Sequence, residues 1–282
     1  MNFDIPQISD REFEEIKEIM YKKTGVFLKF SKKVLVISRL RSRFKELGIN
    51  DFESYLDRLR DENSGELEIF INAITTNETY FFRYLKQFEI LKNEILPEII
   101  CRKKLNGDNR IQIWSAACSN GPEPYSIAII LNEMKKELQN FKVNIYATDI
   151  NSSVLEEAKK GLYSKRDLRE TPLEYQQKYF TVVPKENSSL EFYQLDEDIM
   201  DKVIFMHHNL RHEFKYRNID IIYLRNVMIY FSRDVKIEIL NSLEKVSADN
   251  SYLFISLSES LLDLDTKYER MGHGIYKKVE TV

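Results

Sequence analysis

Two clusters of residues are spaced for chemistry. The first is Cys118-Ser119-Asn120-Gly121-Pro122-Glu123. It is small and turn-forming, and lies between the apolar run Ile111–Ala117 and the helix-spaced run Ser126–Met134. An apolar run with no Gly or Pro suits a buried strand. Pro122 suits the first helical position, where its missing N–H is not needed. A strand, a tight turn and a helix N-terminus with free N–H groups can hold an adenosine-containing cofactor in an α/β domain. The second cluster is Asp149, after the strand-like Val143–Ala147 and Thr148. At a strand's carboxyl end beside the first loop, an acid can hydrogen-bond both ribose hydroxyls. Asp149 could instead cap the helix Ser152–Lys160; the loop before it favours ribose.

The loop also bears on which cofactor is held. It is not a G-x-G-x-x-G, since Gly121 is its one glycine. A dinucleotide needs close backbone approach to a pyrophosphate, and three glycines provide it. Trp114 and Glu123 also fit an amino-acid or nucleoside cofactor better than a phosphate. The expected cofactor is therefore S-adenosylmethionine rather than NAD, with S-adenosylhomocysteine as product.

These residues need a scaffold. Beyond Asp149 the strand ends bring up Asn209 and Arg225-Asn226, after the strands Lys202–His207 and Ile219–Leu224. Carboxyl ends of parallel strands form the ligand crevice of an open α/β sheet. A further buried strand is Tyr252–Ser256, and Arg270–Tyr276 reads as a hairpin finishing the sheet. Residues 162–201 break the strand–helix rhythm. They hold a helical piece, Glu174–Tyr179, and strand-like pieces Phe180–Val183 and Leu190–Tyr193, so an inserted antiparallel β-subdomain is expected there. Upstream, residues 9–75 read as a small helical bundle. Ser9 and Glu12 form a possible capping box, and Gly25 stops the first helix. Further helices fall at Ser31–Leu47, after Asp51, and at Gly65–Ile74. The division is then 1–75 helical, 76–104 a linker and a helix restarting at Pro97, and 105–282 the cofactor domain. The linker carries Asn77, Thr79 and Arg83 beside large apolar anchors. Such a stretch can lie over a ligand, with Arg83 pairing a carboxylate bidentately.

Residues 24–45 contain seven Lys and Arg side chains and no acid. Arg39 and Arg43 are one helical turn apart and, with Lys33, could present a basic face to an acidic partner. The whole chain has net charge -3, which argues against nucleic-acid binding. Two cysteines make neither a disulfide framework nor a zinc spacing. The four histidines show no metal-ligand pattern, so no metal is expected. The N-terminus has no signal-peptide pattern and no stretch approaches 18 apolar residues. A cytoplasmic protein without membrane insertion is expected. No long heptad pattern is present, and a monomer is expected.

Five ordered blocks together resemble the chemotaxis protein glutamate methyltransferases, the CheR family. They are Thr76–Arg83, Trp114–Ser126, Ala147-Thr148-Asp149, Asn209-Leu210 and Arg225–Phe231. The resemblance covers nearly the whole chain. It implies a Rossmann-like S-adenosylmethionine-dependent methyltransferase sheet with a helical N-terminal domain. It also implies esterification of glutamate γ-carboxyls on the cytoplasmic helices of chemoreceptors. Carried across motif by motif, the cofactor residues would be Asn77, Thr79, Arg83, Glu123, Asp149, Asn209, Leu210, Arg225 and Asn226. Arg83 and Tyr230 would stand at the transfer centre, and Lys33, Arg39 and Arg43 would meet acidic receptor helices. Two departures stand out. Ser256-Leu257-Ser258-Glu259 replaces the family's Gly-His-Ser-Glu, and residues 181–201 lack the glycine of members that hold a receptor's C-terminal pentapeptide. No tight pentapeptide tether is expected. Two other classes remain open at this stage: a methyltransferase with another acceptor, and a non-catalytic sensor of the cofactor or its product.

Overall fold

The structure, a computed structural model, describes residues 7–184 and 191–279. The chain divides into two compact units: residues up to Thr76 with Tyr230–Val235, and Asn77–Ile229 with the residues from Lys236 on.

The first unit is built from α1 (Asp10–Thr24), α2 (Lys33–Leu47), α3 (Phe52–Arg60) and α4 (Glu66–Ile74). Helix α1 begins with the capping box: the Ser9 hydroxyl accepts from the Glu12 N–H, and the Glu12 carboxylate accepts from the Ser9 N–H. It ends at Gly25, whose φ of 78° lies in the left-handed region. Phe13, Ile16, Met20, Leu40, Phe44, Phe52, Tyr55, Leu56 and Phe70 are buried, with Phe44 against Phe52 and Tyr55, and Tyr55 against Phe70. These are the i, i+3 and i+4 positions of each helix. Residues 230–235 join this unit, with the Phe27 N–H donating to the Tyr230 carbonyl at 2.8 Å.

The cations of the expected basic face carry internal partners. Arg43 lies bidentate on Glu66, with contacts of 2.6 to 3.1 Å. The Glu66 side chain is 2% exposed and also accepts the Tyr55 hydroxyl at 3.0 Å. Arg39 donates to the Ile74 and Thr75 carbonyls at 2.6 Å each, closing the end of α4. Lys33 pairs Asp10 at 2.7 Å. The partners are distant acids for Lys33 and Arg43, and backbone carbonyls for Arg39. Arg43→Ala should therefore destabilise this unit by about 3 kcal/mol, the scale for orphaning a buried charge. Chemical denaturation of the single variant and of Arg43→Ala/Glu66→Leu would check it, the double variant recovering most of the loss.

The second unit carries the sheet. In order it contains α5 (Leu85–Ile90), a π-helical turn (Leu91–Ile95), α6 (Leu96–Leu105), β1 (Arg110–Ala116), α7 (Pro122–Glu133), β2 (Lys142–Asp149) and α8 (Ser152–Lys160). Then come β3 (Leu162–Ser164), α9 (Leu173–Tyr179), β4 (Phe180–Pro184), β5 (Glu191–Leu195), α10 (Glu197–Met200), β6 (Val203–His207) and β7 (Ile219–Tyr223). Last are α11 (Arg233–Val246), whose first turn lies in the other unit, β8 (Ser247–Phe254), β9 (Tyr268–Gly272) and β10 (Ile275–Lys278).

The main sheet runs β6-β2-β1-β7-β8-β10-β9. Strands β6, β2, β1, β7 and β8 pair in parallel, and the β9–β10 hairpin closes one side antiparallel. From β1 the chain builds outward to β2 and β6 on one side and to β7 and β8 on the other. The carboxyl end of β1 is therefore the topological switch point, where ligands of open α/β sheets bind. The expected insertion is a separate antiparallel sheet, β3-β5-β4. Leu190, the expected start of its central strand, lies outside the described residues. The break at Pro97 is a π turn just ahead of it. Proline has no N–H for the normal ladder, and the Leu96 N–H instead reaches the Leu91 carbonyl.

Candidate active site

The loop after β1 is tightly wound. Ala117 and Ser119 have φ of 64° and 53°, and Gly121 has φ of 97°. A Cβ on Gly121 would stand 3.0 Å from Ala158 Cβ, from the Tyr125 ring and from the Tyr163 hydroxyl. Both backbone and space require glycine there. Phe82, Tyr84 and Asn226 are also left-handed, at φ of 55°, 64° and 59°. Bulky residues in this conformation cost energy and persist where the surroundings hold them, often at functional sites.

Asp149 ends β2 and is 6% exposed. One carboxylate oxygen accepts the Ser119 N–H at 2.8 Å, the other the Asn151 N–H at 2.9 Å. Burial raises its pKa, opposed by the N–H groups of Asn151, Ser119 and Ile150. The helix-cap role falls to Asn151, whose side chain accepts from the Val154 N–H at 3.2 Å. Asp149 thus ties the first loop to the second strand. The Ser119 hydroxyl donates in turn to the Asn77 carbonyl at 2.7 Å, so residue 77 is fastened to the same loop.

The segment that follows is pinned at several points. The Phe82 N–H donates to Ser126 Oγ at 2.9 Å and the Phe81 N–H to the Asp167 carbonyl at 2.9 Å. Phe81 and Phe82 are fully buried, Thr79 is half-buried, and Arg83 emerges half-buried between them and α5. Arg83 Nη1 donates to the Glu78 carbonyl at 3.1 Å, but its buried Nε has no partner among the described residues.

Beneath it lies a buried ion pair. Arg225 Nη1 meets Glu123 Oε2 at 3.1 Å, with side chains 2% and 12% exposed. Glu123 also accepts the Ser115 hydroxyl at 2.7 Å. Burial pushes the Glu123 carboxyl up, with Arg225 the largest opposing influence. Arg225 Nη2 donates to the Arg83 carbonyl, and its guanidinium lies 5.0 Å from the Tyr84 ring centroid. Arg225 is thus the strut between the helix after β1 and the Arg83 segment.

Asn226 is fixed by residues that composition did not single out. Glu259 Oε2 accepts the N–H groups of Asn226 and Ser256 at 3.0 and 2.9 Å, clasping the loops after β7 and β8. Asn226 Nδ2 donates to Ser256 Oγ at 3.0 Å, and Ser256 Oγ meets the Tyr84 hydroxyl at 3.1 Å. The serine that replaces the family glycine is therefore part of a hydroxyl network. Tyr84 also lies 5.7 Å from the Arg83 guanidinium, so it touches Arg83, Arg225 and the Asn226 network at once. The family's Gly-His-Ser-Glu block had marked Ser256 and Glu259 without giving them a role, and nothing local pointed to Tyr84. Tyr84→Phe keeps the ring contacts but removes the hydroxyl. It should lower kcat/KM roughly ten-fold, about one hydrogen bond to a charged or polar group, with little change in melting temperature. Steady-state kinetics with purified variants would check it.

Asn209 and Leu210 follow β6, both half-buried; Asn209 Oδ1 accepts the Arg211 N–H at 3.0 Å. The neighbouring His208 is lowered to about 4 by burial, then by His212 and His207, so its ring is neutral at physiological pH. Trp114 is corrected from a cofactor-facing aromatic to a packing one. It is 2% exposed, stacks on Phe214 at 3.9 Å, and donates to Thr148 Oγ1 at 2.9 Å. Tyr230 belongs to the first unit. Among the described residues no group of His, Cys, Asp and Glu could hold a metal ion.

The family follows from comparison with known proteins. The model described as "CheR methyltransferase, SAM binding domain" matches residues 77–276, and "CheR methyltransferase, all-alpha domain" matches residues 11–75. The chain belongs to the CheR methyltransferase family. A chemotaxis protein methyltransferase of Borreliella burgdorferi is 38% identical over 96% of this chain and 95% of its own. Chemotaxis protein methyltransferase 2 of Vibrio cholerae is 34% identical over 96% and 94%, and methyltransferase 1 of Pseudomonas aeruginosa 35% over 93% and 94%. This CheR chain is thus a methyltransferase that uses S-adenosylmethionine, and its fold is the Rossmann-like sheet, helical domain and small β-sheet described above. The residues present suit such a cofactor. Arg83 offers a partly buried guanidinium with an unpaired Nε to a carboxylate, and Asp149 offers an acid at a strand end beside the loop.

Proposed function

We propose that this protein esterifies the γ-carboxyl of glutamates on the cytoplasmic helices of chemoreceptors, and does so in the cytoplasm as a monomer. The observation that carries this reading is the Arg83 guanidinium. It is held by the Arg225–Glu123 strut and unpaired at Nε, in a chain of the CheR family. S-adenosylmethionine, when bound, supplies a methyl made electrophilic by its sulfonium. Asp149 would hold the ribose, Arg83 the methionine carboxylate, and Asn77, Thr79, Glu123, Asn209, Leu210, Arg225 and Asn226 the remaining contacts. Tyr230 is assigned to the transfer centre from its place in the Arg225–Phe231 motif.

The acceptor needs no general base. A glutamate carboxyl has a reference pKa of about 4.3 and is ionised at neutral pH. What the protein supplies is alignment and exclusion of water, with the acceptor oxygen roughly 3–3.5 Å from the methyl carbon. In the first unit Lys29, Lys32 and Arg41 are exposed, as are Phe27 at 53% and Val34 at 76%. These are better suited than Lys33, Arg39 and Arg43 to meet an acidic, amphipathic receptor helix. No tight pentapeptide tether is proposed, since residues 181–201 have no glycine; among the described residues no helix is long and apolar enough to cross a membrane.

Mass spectrometry of receptor fragments incubated with the protein and S-adenosylmethionine tests this. Added methyl groups on glutamate side chains are expected. Methylation on another residue type, or on none, would refute the acceptor assignment.

A further inference from the structure

Above the candidate site, the turn after β3 carries an arginine whose charge the fold leaves unneutralised. Arg169 is exposed, yet its guanidinium is stacked 3.4 Å from the Tyr80 ring centroid. The same ring lies 5.4 Å from the Arg83 guanidinium. No carboxylate pairs Arg169 among the described residues; Nη1 donates to the Arg166 carbonyl at 2.8 Å. Its neighbour Arg166 is bridged to Glu78 at 2.8 Å. Glu170 instead hydrogen-bonds the Tyr80 side chain. The turn itself is anchored. Ser164 N–H and Oγ both donate to Asp167 Oδ2, at 2.9 and 2.7 Å, and the Asp167 carbonyl takes the Phe81 N–H. An exposed arginine normally loses considerable side-chain freedom when it binds. This one is already immobilised on an aromatic face, with most of its donors open.

We infer that Arg169 is a substrate-specificity residue: it receives a carboxylate of the acceptor segment, while Tyr80 holds it and Arg83 in fixed relation. This rests on the methyl-acceptor reading above, and adds a residue that binds acceptor rather than cofactor. Its ligand is an acidic side chain of a glutamate-rich helix. An arginine fork suits such a group better than a lysine does, because it can donate two parallel hydrogen bonds.

The test is steady-state methylation of receptor-containing membranes by wild type, Arg169→Ala, Arg169→Lys, Tyr80→Phe and Tyr80→Ala. Arg169→Ala should raise KM for receptor roughly five- to ten-fold, with KM for S-adenosylmethionine and the melting temperature unchanged. The wild-type KM for receptor should rise with salt more steeply than the variant's. Arg169→Lys should recover part of the loss. Tyr80→Phe keeps the ring under both guanidinia but frees Glu170 beside Arg169, so it should raise KM for receptor only, whereas Tyr80→Ala should raise KM for both substrates. An unchanged receptor KM in Arg169→Ala, or equal rises in both KM values with a lower melting temperature, would overturn the inference. Failure of the wild type to methylate receptors would overturn the function itself, and this inference with it.

Discussion

Arg225→Met should lower the stability of the second unit by about 3–5 kcal/mol, the range for removing one partner of a buried ion pair. It should also abolish methyl transfer. The reason lies in what Arg225 holds. Its guanidinium offsets the Glu123 charge, which burial already disfavours. The same group carries the Arg83 backbone and packs near the rings of Tyr84 and Phe88, at 5.0 and 5.6 Å. Without it, the Glu123 pKa rises further and the segment that presents Arg83 loses its strut. Glu123→Gln/Arg225→Met separates the two effects. Neutralising both partners should recover most of the stability in urea denaturation, while activity stays absent. Recovery of activity in the double variant would show that the pair matters only for folding.

Asp149→Ala should weaken binding of S-adenosylhomocysteine by 100-fold or more, equivalent to about 3 kcal/mol. Two losses combine. The ligand loses its ribose acceptor, and the buried N–H groups of Ser119 and Asn151 lose theirs, at about 1–3 kcal/mol for each orphaned donor. The loop conformation depends on those bonds, since Ala117 and Ser119 adopt left-handed backbone without being glycine. Asp149→Asn keeps one acceptor oxygen and should fall between. Calorimetry with purified variants would measure the series. Binding within a factor of two of wild type in Asp149→Ala would remove Asp149 from the cofactor site.

Much of this was legible in the sequence because the signals were local. The Ser9–Glu12 cap, the stop at Gly25, Pro122 opening α7 and the apolar runs of β1 and β7 all depend on neighbours in the chain. The strand-end rule also set Asp149 and Arg225–Asn226 at or just beyond the ends of strands, where they lie, without knowledge of pairing. What escaped depends on distant contacts. Arg39 and Arg43 read as a basic face because residues 24–45 contain no acid, although Glu46 just beyond pairs Arg43 at 2.9 Å. Glu66, 23 residues away, and the carbonyls ending α4 engage them as well. Trp114 resembled a ligand platform, but Phe214, a hundred residues on, covers it. Strand β3 is only three residues long and carries no periodicity to detect. Strand β8 begins at Ser247, earlier than the expected Tyr252, because Ala248–Asn250 are polar or small and give no hydrophobic signal. Ser256 looked like a lost glycine; its hydroxyl's role emerges only once Tyr84 and Asn226 are brought beside it.

The central claim is transfer of a methyl group to receptor carboxylates by the Arg83–Asp149 site. Its most direct test is incubation of tritiated-methyl S-adenosylmethionine with chemoreceptor membranes and wild type, Arg83→Ala or Asp149→Ala protein. The expected result is label on the receptor band that base releases as volatile methanol, with wild type only. Base-stable label, or equal labelling by Arg83→Ala, would contradict it.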